Sequence, residues 1–132
     1  MAFTPASLED SFEITNLVVE YNVRYDNGDP LFAETFTEDG VFDSSLNGIF
    51  EGRKALVDFM NEFATRYTGR HFCANHVVTT DGERARHESY FYFLVGSKIA
   101  TVGRYEDELV RVDGRWKFKR RVFRHDEKKQ QQ

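Results

Sequence analysis

Three observations predict an α+β domain whose helices cover one side of a curved antiparallel sheet. Apolar residues recur at three- and four-residue intervals in the first half of the chain, the period changes to two beyond Gly69, and turn dipeptides divide the second half into hairpins. Helices followed by a run of strands bury their apolar stripes against one face of an antiparallel sheet.

Ser7 can cap a first helix with Asp10 three residues on, and Ile14, Leu17, Val18, Tyr21 and Tyr25 form its apolar stripe over about residues 8 to 26. Asp26-Asn27-Gly28 is turn chemistry. Asp29-Pro30 then supplies an N-cap and a proline at the first helical position for a short helix through Phe36. Glu38-Asp39-Gly40 reads as a turn, Val41 to Asp43 as a brief strand, and the residues up to Gly52 as a loop. A third helix is expected from Arg53 to about Tyr67, with Ala55, Leu56, Phe59, Met60 and Phe63 facing inward. Asp81-Gly82, Gly96-Ser97 and Asp113-Gly114 mark the hairpins of four antiparallel strands near 71–80, 84–95, 98–112 and 115–125. Four long strands plus a short one can curl into a half-open cone. The chain reads as a single domain, 1–132, with its core at about 8–125 and a polar tail, 126–132, expected to fray.

A second full domain does not fit in 132 residues. The 18 Lys+Arg against 22 Asp+Glu give a net charge of −4, which offers nucleic acid no general attraction. Lys117, Lys119, Arg120, Arg121 and Arg124 form a local basic run, read as the wet face of a strand. Cys73 is the single cysteine, so neither an intrachain disulfide nor a multi-thiolate zinc site is expected, which suits a reducing cytoplasm. No basic start leads into an apolar core and no run approaches a bilayer span, so the expectation is a cytoplasmic protein without membrane contact. The 13 Phe and 6 Tyr supply large rigid apolar surfaces to a core or to the walls of a pocket. Glycine-rich phosphate loops, a nucleophile elbow and dinucleotide fingerprints are missing from the sequence, and no cofactor is expected.

Asp26 falls on the rim of the first helix's stripe, where its carboxylate would sit at a core edge. It also faces the negative end of the helix dipole, a penalty of about 0.3 to 1 kcal/mol. Turn chemistry alone makes Asp26 a solvated residue. If the first long strand is regular, His71, Cys73, Asn75 and Val77 share one face and His76 points to the other, so His71 and His76 cannot form an ordinary metal pair. No metal site is expected. His125, beside Asp126 and Glu127, should be exposed; His87 reads first as a hydrogen-bonded structural histidine and second as a pocket residue. Cys73 reads by default as a small buried hydrophobe. Strict alternation sets Arg121 opposite Trp116 and Phe118, so it reaches a pocket only if its own face is the concave one or a bulge intervenes. Tyr90 and Tyr92 alternate with Phe91 and Phe93, giving a strand apolar on both faces, with helices on one side and a pocket or subunit contact on the other.

The ordered segments EYNVRYDNGDP, FTEDGVF, the helix start at Gly52, RHFCANH and GRYEDELVRVDGRWKFKRR resemble the SnoaL-like family of polyketide cyclases and dehydratases over about residues 10 to 124. This family is a branch of the nuclear transport factor 2 superfamily. Its relatives include scytalone dehydratase, bile-acid 7α-dehydratase and hexachlorocyclohexane dehydrochlorinase, with ketosteroid isomerase and the small subunits of ring-hydroxylating dioxygenases further away. The resemblance implies a cone-shaped sheet covered by three N-terminal helices, and a catalytic Asp26 and His71 with Tyr21 as a hydrogen-bond donor. It further implies Asn75, His87 and Arg121 as substrate-binding residues, to which Tyr25 of the helix stripe and Tyr90 of the aromatic strand are added as candidates. Asn75 follows His71 as in the dehydrochlorinase, Arg121 follows the Trp-Lys-Phe segment, and His87 is the one candidate for the second histidine of scytalone dehydratase. The implied activity is a cofactor-independent lyase of dehydratase type, acting on a small hydrophobic cyclic or polyketide-like molecule. A non-catalytic ligand-binding or subunit-forming domain, or an enzyme like ketosteroid isomerase or epoxide hydrolase, are the alternatives. Relatives associate as dimers or trimers, and the aromatic outer sheet face makes a homo-oligomer the expectation here too.

Overall fold

The computed structural model describes residues 2–63 and 68–127. After the two-residue strand β1 (Thr4–Pro5), the helix α1 runs over Leu8–Asp26, capped by the Ser7 hydroxyl accepting from the Asp10 amide at 3.1 Å. Ile14, Val18 and Tyr21 are buried on its inner face, and Leu17 and Tyr25 are half-buried beside them. Burying each large side chain of this kind stabilises the fold by about 1.5–3 kcal/mol. Asp29 caps a short 3₁₀ helix, Pro30–Thr35, which places Phe32 and Ala33 in the core.

The strands β2 (Phe36–Ser44) and β3 (Gly48–Glu51) come next, then the helix α2 (Arg53–Glu62), with Leu56, Phe59 and Met60 buried. The long strands β4 (Arg70–Thr80), β5 (Arg84–Val95), β6 (Lys98–Val112) and β7 (Arg115–His125) match the four predicted from turn chemistry. The expected end of the third helix near Tyr67 and most of the expected frayed tail lie outside the described residues.

All strands join one sheet in the order β1-β4-β5-β6-β7-β2-β3. Its concave face holds Phe91, Tyr105, Leu109, Trp116, Phe118 and Phe123 against the helices. The sheet is mixed rather than antiparallel, because β2 lies parallel to β7. Only the strands joined by tight turns are forced to be antiparallel; β2 reaches β7 through a long intervening chain, whose direction the turns do not set. The predicted turn at Glu38-Asp39-Gly40 lies inside β2, as an irregularity between Phe36 and Val41. Gly40 is required there by close approach, since a Cβ would stand 2.7 Å from Phe36 Cβ. The predicted loop before Gly52 contains β3, which pairs with β2 through Val41 to Ser44.

Two further irregularities decide which side chains face inward. Ala74 pairs with Tyr90 and Val77 with Glu88, so Asn75 and His76 together oppose one residue of β5, with Asn75 at φ 59°. In β7, Leu109 pairs with Phe118 and Glu108 with Arg120, leaving Lys119 unopposed. Both are bulges, and each resets the alternation beyond it.

Candidate active site

A cavity of about 430 Å³ opens between the concave sheet face and the helices. Its walls are Tyr21 and Tyr25 from α1, Phe59 and Phe63 from α2, Phe42 from β2, and Phe91, Phe93, Tyr105 and Phe123 from the long strands, and His71 also lines it. The more exposed Leu46, Asn47, Val95 and Ala100 mark its open side. Aromatic rings form most of its walls, and the hydroxyls of Tyr21, Tyr25, Tyr105 and Thr101 with the His71 ring and Asn47 add polar groups, a lining suited to a small ligand with both apolar and polar parts.

Asp26, the last residue of α1, meets His71 at the start of β4. Its Oδ1 lies 2.5 Å from His71 Nδ1, and its two oxygens accept from the His71 backbone N–H at 3.2 and 3.0 Å. The ring and amide of one residue thus hold the carboxylate that the helix dipole disfavours. An acceptor at Nδ1 places the proton on that nitrogen and leaves Nε2 as the basic one. The imidazole is packed by Tyr25, Phe93 and Phe91, at centroid distances of 4.5, 4.7 and 5.1 Å. Burial lowers the His71 pKa below its ordinary 6.5, while the hydrogen bond to Asp26 acts in the opposite sense. His71 is therefore neutral at neutral pH.

Three phenols share this space. Burial raises the pKa of Tyr21, Tyr25 and Tyr105, with the Asp26 charge adding to the effect on Tyr25 and Arg121 opposing it for Tyr21 and Tyr105. All three are protonated donors. The Tyr21 hydroxyl is buried beside the Tyr105 side chain, which opposes part of that rise.

The SnoaL-like domain family matches residues 6–122. The chain belongs to the SnoaL-like family. Similar solved structures include Rv3472 of Mycobacterium tuberculosis, a protein of unknown function that is 30% identical, with 87% of this chain and 70% of that one covered at a TM-score of 0.81. A protein proposed to be a scytalone dehydratase, from Novosphingobium aromaticivorans, is 25% identical, with coverage of 91% and 86% and a TM-score of 0.77. A protein of the same organism described as NTF2-like with a cystatin-like fold is 26% identical, with 88% and 81% covered at a TM-score of 0.74. No curated protein matches the chain.

Of the residues expected to bind substrate in this SnoaL-like chain, Tyr25 lines the cavity and the other four do not. Asn75 is exposed, because the β4 bulge turns it away from the face it would share with His71 in a regular strand. Tyr90 is 64% exposed on the convex face, as alternation with the buried Phe91 and Ser89 demands. His87 is fully buried on the concave face but points its ring at Asp107 and His76, at 2.8 Å each. Arg121 does reach the concave side, and the bulge at Lys119 is the reason: Trp116, Phe118, Arg121 and Phe123 are all buried. It sits behind the cavity wall rather than in it. Its guanidinium carbon lies 3.5 Å from the Tyr105 ring centroid, 4.2 Å from Tyr21 and 4.6 Å from Phe118, and Nε is 3.3 Å from Asp107 Oδ1. Burial works against its charge, and Asp107 is the foremost group opposing that loss.

Sequence reasoning missed Tyr105 and could not position Asp107; the two occupy alternate inward positions of β6. Their signal was the apolar-inward register of Gly103, Tyr105 and Leu109, in which Asp107 stands as the one charged residue. Among the described residues no group of three His, Cys, Asp or Glu could hold a metal ion, and no helix is long and apolar enough to cross a membrane.

Proposed function

We propose that this protein is a cofactor-independent lyase of dehydratase type, acting on a small hydrophobic cyclic or polyketide-like molecule in the aromatic cavity. The contact between Asp26 and His71 Nδ1 carries the reading, because it presents a neutral imidazole with Nε2 as the base at a cavity wall. His71 Nε2 removes the proton from the carbon beside a carbonyl. The electron pair of that C–H bond becomes the new C=C bond, the C–O bond to the adjacent hydroxyl breaks, and His71 returns its proton to the departing oxygen, releasing water. Asp26 holds the ring and stabilises the imidazolium between the two transfers. Tyr21 and Tyr105 donate toward the carbonyl oxygen as negative charge develops on it, with the Arg121 cation behind them. Similarity to a protein proposed to be a scytalone dehydratase supports the reaction class.

The test is a panel of cyclic β-hydroxy ketones, with water loss followed by mass spectrometry and the conjugated product by absorbance. The expected result is turnover of some members, reduced roughly two to four orders of magnitude in His71→Ala. A His71→Ala, Asp26→Asn double variant should lose much less than the sum of the two single losses in activation free energy, since the two residues act as a unit. Tight binding across the panel without turnover would leave a ligand-binding domain instead.

A further inference from the structure

Behind the cavity wall the protein holds a second histidine–carboxylate pair that the elimination chemistry does not use. His87 Nδ1 lies 2.8 Å from Asp107 Oδ2, and His87 Nε2 lies 2.8 Å from His76 Nδ1. The other Asp107 oxygen is 3.3 Å from Arg121 Nε. The four neighbouring strands β4, β5, β6 and β7 thus contribute one residue each to a continuous polar row. His87, Asp107 and Arg121 are buried, whereas His76 is exposed. The β4 bulge is what allows His76 to meet His87, since strict alternation from His71 would turn it to the convex face.

Asp107 sets the direction of every hydrogen bond in this row. A carboxylate only accepts, so His87 Nδ1 carries its proton and His87 Nε2 accepts from His76 Nδ1–H. The atom left basic is His76 Nε2. A proton gained there is matched by passage of the His76 Nδ1 proton to His87 Nε2, which delivers positive charge to the buried pair without water entering the core. Asp107 then divides its charge between His87 and Arg121, and more of the Arg121 field falls on Tyr21 and Tyr105, two of the three aromatic rings it covers.

We propose that His76, His87, Asp107 and Arg121 form a charge relay through which protonation at the protein surface strengthens the hydrogen bonds that Tyr21 and Tyr105 donate into the cavity. The use of those hydrogen bonds in catalysis rests on the reading given under Proposed function; the electrostatic coupling does not. The groups facing the two histidines are Asp107 from β6, Arg121 from β7, the Cys73 backbone within β4, and, across Arg121, Tyr21 from α1. No other carboxylate among the described residues forms an ion pair with either ring. Burial, the neighbouring His87 and Arg121 all disfavour a charge on His76, as a row already holding one cation requires.

The experiment uses ligand-free protein carrying ¹³Cζ-tyrosine and ¹⁵N-histidine, titrated by NMR from about pH 8 to about pH 5, the range in which histidine changes charge. The Tyr21 and Tyr105 Cζ resonances should move with the midpoint of the His76 ring. The part of that movement that does not follow the His71 ring, which lines the same cavity, should vanish in His76→Gln and survive in the control His125→Gln. His76→Lys, which fixes a charge at the entrance, should hold both tyrosine resonances near their acid positions at all pH values. Tyrosine resonances that stay still while His76 titrates would overturn the relay, as would a response unchanged in His76→Gln or a His76→Lys protein that titrates like wild type. None of these readouts involves turnover, so their failure leaves the roles of Asp26 and His71 standing.

Discussion

Replacing Asp26 by Asn keeps the shape of the side chain and removes its charge, and the structure gives the size of the effect on His71. The carboxylate is 17% exposed, the imidazole 6%, and they meet at 2.5 Å, so solvent screens the pair weakly. A hydrogen bond to a charged group in such a place contributes about 1.5–3 kcal/mol. Losing it removes that support from the imidazolium and lowers the His71 pKa further, beyond the lowering that burial already imposes. The amide also offers Nδ1 a donor as readily as an acceptor, so the tautomer with Nε2 free is no longer enforced. Long-range ¹H–¹⁵N spectra across a pH titration report both quantities. The wild-type ring should show protonated Nδ1 and basic Nε2, and Asp26→Asn should show a mixture together with the lower midpoint. An unchanged midpoint and an unchanged tautomer in Asp26→Asn would refute the coupling, and the proposed mechanism with it.

Stability should fall as the pH drops below about 6.5, because unfolded chains protonate His71 and His76 there while the folded protein, with both pKa values lowered, resists. A second loss should follow below about 3.8, where Asp10, held down by hydrogen bonds from Trp116 and Arg111, and Asp43, held down by Arg124 and Arg120, must be protonated. Thermal melts at stepped pH check both, and a flat melting temperature between neutrality and pH 5 would contradict the first. Arg121→Met should destabilise the protein by about 3–5 kcal/mol, because Asp107 is left buried without its cation, and adding Asp107→Leu should recover part of that loss. Urea titrations measure it; a loss under about 1 kcal/mol would mean the pair is not buried in solution. The convex face exposes Phe72, Tyr90, Tyr92 and Val102, with the Phe72 and Tyr92 rings stacked at 5.0 Å, and self-association into a dimer or trimer through this face is the expected outcome. Sedimentation at micromolar concentration should show the oligomer and its dissociation in Tyr92→Glu, whereas a wild-type monomer would exclude it.

The residues of α1, the hairpin turns and the spans of β4 to β7 were legible in the sequence because they depend on neighbours a few positions away. Ser7 capping Asp10, apolar side chains from Ile14 to Tyr25 on one stripe, and glycines at Gly82, Gly96 and Gly114 with positive φ are local physics. Asp26, His71, Tyr21 and Tyr25 were also legible, the first three through family resemblance, since turn chemistry alone makes Asp26 a solvated residue. What the tertiary structure decided was every feature set by strand pairing. Period two assigns faces only while a strand stays in register, and the bulges at Asn75–His76 and Lys119 bring the exposed His76 into contact with His87 and Arg121 into the core against that rule. The parallel placement of β2 against β7 and the strand β3 likewise follow from where distant segments meet. Asp107 has the same origin: a lone acid in an amphipathic strand looks solvated until the cross-strand neighbours His87 and Arg121 supply the partners that make its burial tolerable.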